Sequence, residues 1–304
     1  MFSFAIKEIF QLIGRYQFYG DENYRLEQAA NFEPTPDADY SKSVMWLSDS
    51  SIANRRDKMP TNIGLLVLSE RGFASLMPTP QRCLVVQEPR LVFQQIVKHF
   101  FEQQWTAKTE TTAIVHHSAV VPASCYIGHF VVVEEGVVMG ENCFVGHHTV
   151  IHAGTQIGEN VILGTHNTIG GVGFGYAKMA NGHYDRFSHL GNVILENHVV
   201  VHNNTCIDRA VLGSTRIGEG AKIDNLVHVA HGVQIGKHTL VIANSMIAGS
   251  TKIGDNCWIA PSVSVLNKLN VGDGATLGMG AVVLKDVAVQ PIVFGNPGNE
   301  KEAK

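Results

Sequence analysis

Fifteen of the 304 residues are histidine, and the residues around one of them could support proton transfer. His231 closes the run Ile223-Asp-Asn-Leu-Val-His-Val-Ala-His231. It stands two residues after Val229, an aliphatic position in a repeating pattern. Two residues past an inward side chain, at a corner of the chain, its imidazole points outward. With an ordinary pKa of about 6.5, such a group can take a proton from an attacking atom at neutral pH. Gly249, Asn267 and Lys285 follow at steps of eighteen residues, which stacks all four on one corner if eighteen residues make one turn. The glycine lets a ligand approach the backbone, and the lysine could meet a phosphate.

The pattern that positions these residues begins at Ala113. An aliphatic residue returns every sixth position at Val115, Val121, Ile127, Val133, Met139, Val145, Ile151, Ile157, Leu163 and Ile169. After an interruption from Gly171 to Asn192 it resumes at Leu195, Val201 and Ile207. It slips once between Asp208 and Arg216, then runs unbroken from Ile217 to Val283. A helix cannot keep one face at a strict period of six, because 3.6 does not divide it. A solenoid can, each unit burying its aliphatic residue against the next. Three six-residue faces make an eighteen-residue coil. The repeats then give roughly eight coils and, at about 4.8 Å per coil, a prism roughly 40 Å long. Glycine directly after many of the aliphatic residues fits a corner that bends or takes positive φ. The fold class expected is mainly β, a parallel β-helix preceded by a small α/β domain. The domains expected are residues 1–105, 113–298 with an excursion at 171–192, and a tail at 299–304.

In the first hundred residues, Ile6 to Ile13 could form a helix with an apolar stripe. Ser43-Val-Met-Trp-Leu, Ile63-Gly-Leu-Leu-Val-Leu and Arg82-Cys-Leu-Val-Val read as strands. Pro89 precedes a helix of about three turns from Leu91, and Trp105 to Thr112 reads as a polar linker. The net charge of −4 and pI near 6.4 advertise no nucleic-acid or anionic-lipid surface. No apolar run reaches the roughly 18 residues of a membrane span, Lys7 and Glu8 spoil a signal peptide, and the five cysteines are scattered singly. A reducing cytoplasm is the expected location.

Zinc is the rival use of so many histidines, and it needs three neutral imidazoles converging on one point. Trimeric γ-class carbonic anhydrases use two five apart and a third about two coils earlier. His147 and His152 have that spacing, but Thr111 lies two coils before His147. His116 lies two coils before His152, whose five-residue partner is Ile157. The pattern fails, and no metal site is expected. The other outward histidines, among them His117, His129, His148, His166, His198, His202 and His238, read as solvated or interface residues.

The hexapeptide texture resembles the left-handed β-helix acyltransferases. Three segments narrow this further: Gly173-Phe-Gly-Tyr176, Thr205-Cys-Ile-Asp-Arg-Ala-Val-Leu-Gly213 and the Asp224-Asn to Ala230-His231 run. With them the chain resembles the N-acyltransferases of lipid A synthesis (LpxD) over nearly its whole length. That family moves a 3-hydroxyacyl group onto the amine of a UDP-linked glucosamine. The resemblance implies a left-handed coil, a homotrimer with sites between prisms, His231 as catalytic base and the Gly249 N–H as oxyanion donor. It further implies stacking of Trp46 on the nucleotide base, with Tyr176, His183 and Tyr184 shaping the sugar pocket. Where the family has a second substrate-binding histidine, this chain has Lys268.

The ending, Gly280-Ala-Val-Val-Leu-Lys-Asp-Val287 and Gly295-Asn-Pro-Gly298, resembles that of CoA-dependent sugar acetyltransferases and lacks the family's C-terminal helices. Asn267 and Lys285 would then contact CoA. The expected activity is therefore transfer of a short acyl group, such as 3-hydroxybutanoyl, from acyl-CoA to a nucleotide-linked amino sugar for a cell-surface polysaccharide such as O-antigen. No cofactor is expected to stay bound. The first alternative is the lipid A reaction itself, fed by acyl carrier protein. The second is a non-catalytic assembly module, against which the intact Ala230-His231 pair and Gly249 speak.

Overall fold

Short β-rich runs build the first of two units, Met1–Gln104. Its sheet has the strand order Gln17–Tyr19, Cys83–Val85, Leu65–Leu68, Ser43–Trp46, Gln28–Ala29. The first pair is antiparallel and the rest are parallel. The helix Pro89–Phe100, with proline at its start, inserts Ile96 against Val44, Leu65, Val67 and Leu84. The expected helix from Ile6 to Ile13 is one turn, Ile6–Ile9. The Leu12 N–H folds back to the Ile9 carbonyl, and Gly14 follows. The computed structural model describes residues 3–31, 39–55, 62–76, 82–102, 105–296 and 299–301.

The second unit, Trp105–Lys304, is a left-handed parallel β-helix. Its three faces are sheets of eleven, nine and seven strands. Strands pair at steps of eighteen residues, as in Val229↔Ile247, Ile247↔Val265 and Val265↔Val283. Every sixth-position aliphatic from Ile127 onward is buried in one continuous core. Val115 remains exposed and Val121 partly so, because the first coil has no neighbour on its outer side. Each fully buried Val, Leu or Ile contributes about 1.5–3 kcal/mol of transfer free energy.

The supposed linker is already part of this fold: Lys108–Thr109 pairs in parallel with Tyr126–Ile127. Ile292–Phe294 adds a rung at the other end, so the longest face has more rungs than the eight coils counted from the aliphatic repeat. Pro297, Gly298 and residues 302–304 of the expected ending and tail lie outside the described residues.

Of the six glycines that directly follow an aliphatic position between Ile127 and Ile169, Gly170 takes the expected positive φ and the other five act differently. Gly128, Gly140, Gly146, Gly158 and Gly164 do not take positive φ. Instead, a Cβ at each would sit within 3.0 Å of backbone in the next coil, so glycine is needed for close approach. The left-handed position is two residues later, at Phe130, Asn142, His148, Asn160, His166 and their equivalents.

Candidate active site

The interruption at Gly171 is an insertion into a single coil. Ile157 pairs with Leu195, a step of 38 residues in place of 18, so twenty residues are inserted. They form the hairpin Tyr176–Lys178 with Tyr184–Arg186. The later slip adds four residues, since Ile207 pairs with Val229 at a step of 22. The Asp208-Arg209-Ala210 segment secures the base of the excursion. Arg209 donates from Nε to the Gly170 carbonyl (2.7 Å) and from Nη2 to that of Ala153 (2.9 Å). Ala210 is buried beneath Gly191.

The backbone around His231 is fixed by three bonds. Ala230 N–H donates to the Ile247 carbonyl (3.0 Å), Ser250 N–H to the His231 carbonyl (2.9 Å), and Gly232 N–H to Thr215 Oγ1 (2.8 Å). The half-buried imidazole lies between two glycines. A Cβ on Gly249 would stand 2.7 Å from its Nε2, and one on Gly173 would stand 3.1 Å from its Nδ1. Neither flanking position can therefore take a side chain without displacing the ring. Among the described residues no backbone carbonyl accepts the Gly249 N–H, which leaves that donor next to the ring nitrogen that would receive a proton.

Burial, then the charge that His189 would carry, holds the His231 imidazole below its ordinary pKa, while Asp208 works against them. Asp208 is itself pushed up by burial and pulled down by His228, His231 and His189. Its Oδ2 is 3.7 Å from His228 Nε2. A base with a lowered pKa is unprotonated, and so able to accept, at neutral pH.

A cavity of about 1000 Å³ opens beside His231. Of the residues singled out in the sequence, Tyr176, Tyr184, Asn267 and Lys268 line it with His231, and Gly249 touches the imidazole. His183 does not line it. It is exposed in the hairpin turn, where its N–H is held by Asn181 Oδ1. Lys285 is exposed and outside the cavity wall. Trp46 belongs to the first unit, half-buried on Ser43–Trp46 against that unit's own core. Sequence reading passed over Phe174 and Phe187 in the wall, and His189, Asp208 and His228 around the base. Phe174 and Asp208 lay inside two of the motifs already singled out.

Comparison with known proteins assigns the chain. The bacterial transferase hexapeptide (six repeats) family matches residues 118–153, 136–171, 214–249 and 250–285. UDP-3-O-acylglucosamine N-acyltransferase of Delftia acidovorans is 37% identical over 261 residues, 85% of this chain and 78% of that protein. The chain belongs to the UDP-3-O-acylglucosamine N-acyltransferase family. The Wolinella succinogenes member is 40% identical over 131 residues, 43% of this chain. In that match and the similar ones from Caulobacter and Campylobacter lari, the chain spans about two fifths of the relative's length. Among solved structures, Francisella novicida UDP-N-acetylglucosamine acyltransferase aligns with a TM-score of 0.57 at 26% identity, covering 61% of this chain and 66% of that one. The Campylobacter jejuni UDP-N-acetylglucosamine acyltransferase aligns at 0.58 and 19% identity over 64% of this chain and 74% of that one, which speaks to the fold alone. Among the described residues no helix is long and apolar enough to cross a membrane.

Proposed function

We propose that the protein N-acylates the glucosamine amine of UDP-3-O-acylglucosamine, working as a homotrimer. The observation that carries this reading is the His231 ring packed against Gly249 at the wall of an aromatic-lined cavity, in a chain of this family. The amine nitrogen attacks a thioester carbonyl. As the C–N bond forms, His231 Nε2 takes the amine proton and the Gly249 N–H stabilises the oxyanion. The C–S bond then breaks, and the proton passes from His231 to the departing thiolate. Tyr176 and Tyr184 flank the sugar, and Lys268 meets a phosphate of the nucleotide.

The expectation of an O-antigen sugar and a short acyl-CoA donor gives way here. The relatives are named for UDP-3-O-acylglucosamine, and Lys285 lies outside the cavity. The acyl donor in this reading is acyl carrier protein. The test is His231→Ala, expected to lower kcat by about 10² or more with the melting temperature kept. Near-normal turnover would remove His231 from the mechanism. Giving the same acyl group on both carriers tests the donor: faster transfer from CoA by a wide margin rejects the carrier-protein reading.

A further inference from the structure

A general base needs a partner on its second nitrogen to fix its tautomer and orientation. His231 Nδ1 is buried and, among the described residues, has no hydrogen-bond partner. One other buried side-chain nitrogen shares that state: Nε2 of His189, a residue only 7% exposed. The two rings stand edge to face, centroids 5.3 Å apart at 80°.

The chemistry of the two nitrogens is complementary. His189 Nδ1 is 2.9 Å from the Phe187 carbonyl. A carbonyl only accepts, so in the neutral ring Nδ1 carries the hydrogen and Nε2 holds a lone pair. That lone pair needs a donor, and His231 Nδ1–H is one. Both nitrogens border the same gap: a Cβ on Gly173 would lie 2.9 Å from His189 Nε2 and 3.1 Å from His231 Nδ1. Gly175 clears the other side of the ring, its absent Cβ falling 3.2 Å from His189 Cε1. The two glycines of Gly173-Phe-Gly-Tyr176 thus make room for one imidazole and leave its free nitrogen facing the base.

We infer that His189 is a positioning residue for the acyl transfer: its Nε2 accepts the Nδ1–H of His231, by a modest turn of either ring or through one bridging water. This holds His231 in the tautomer that leaves Nε2 unprotonated toward Gly249. Asp208 and His228 are the other titratable groups facing His231. Asp208 lies 3.7 Å from His228 at its nearest atoms, so the carboxylate has its own imidazole.

The inference rests on His231 being the base, but its first readout does not depend on turnover. In protein labelled with ¹⁵N-histidine, two-bond ¹H–¹⁵N spectra of the wild type should show His231 as the Nδ1–H tautomer, the less common one for imidazole in water. His189→Gln, whose amide oxygen can still accept, should keep that tautomer and stay within about threefold in kcat. His189→Leu should move His231 toward Nε2–H and lower kcat by about tenfold or more, with KM for the acceptor unchanged. An Nε2–H tautomer in the wild type overturns the inference, and so does a folded Leu variant with unchanged tautomer and kcat. If the Leu variant does not fold, the wild-type tautomer and the Gln variant decide. An active His231→Ala enzyme would instead refute the base assignment, leaving the tautomer result standing as a separate fact.

Discussion

Gly249→Ala should separate the shape of the site from its hydrogen-bonding groups. The new methyl carbon would lie 2.7 Å from His231 Nε2 and 2.9 Å from Cε1. Ordinary contact begins near 3.5 Å, so the ring must retreat by about 0.8 Å. On the far side it meets Gly173, which has no side chain to block the move. The backbone raises no objection, since Gly249 does not take positive φ. The variant should therefore fold, keep its residue-249 N–H, and hold a misplaced base. A shift approaching 1 Å at a reacting group costs about 10² in rate, roughly 2.7 kcal/mol of transition-state stabilisation. Steady-state transfer to UDP-3-O-acylglucosamine, alongside a thermal melt, measures both halves of the claim. A well-folded variant within about threefold of wild-type kcat would refute the argument that ring placement against Gly249 governs the rate.

The acid limb of kcat/KM should lie below the ordinary imidazole value, because burial lowers the pKa of His231 and a base works only when unprotonated. Asp208→Asn removes the group that raises that pKa, while burial, His189 and His228 still lower it, so the limb should move to still lower pH; movement upward contradicts the assignment. Ile247→Ala, at a fully buried core rung one coil from His231, should cost about 2–5 kcal/mol, read as a lower urea midpoint at unchanged slope. Lys268→Ala should raise KM for the nucleotide sugar several-fold with little change in kcat, the behaviour of an exposed charge contact worth about 1 kcal/mol.

The core was legible because it obeys a period: each aliphatic from Ile127 to Val283 could be placed by counting, and the interruption announced the excursion. The corners were less so. Asn142, His148 and Ser250 take positive φ for a reason that resides in the coil's geometry, whereas the glycines that drew notice, Gly170 apart, serve contact between coils. Lys108–Thr109 was passed over since a polar rung on an end coil carries no aliphatic mark. At the site, His231 was visible from its motif, and the stacking of Asn267 beneath the eighteen-residue step followed. His189 was not visible. It sits within the first insertion and meets His231 across 42 residues of sequence that include the second, and no periodicity links them.

The pairing step of 38 residues between Ile157 and Leu195 has a consequence for assembly of the chain. Closing 38 residues in place of 18 costs only about 0.7 kcal/mol more in chain entropy, so the ladder resumes in phase at little thermodynamic expense. Kinetically the insertion is a seam. Coils on either side can zip from neighbour to neighbour, but joining them waits on one long closure. Gly173 and His189 come from within that closure, and His231 comes from the run beyond it. Activity during refolding should therefore return with the slowest rung, after most β-structure has formed, and the enzyme reports on the meeting of its two half-solenoids.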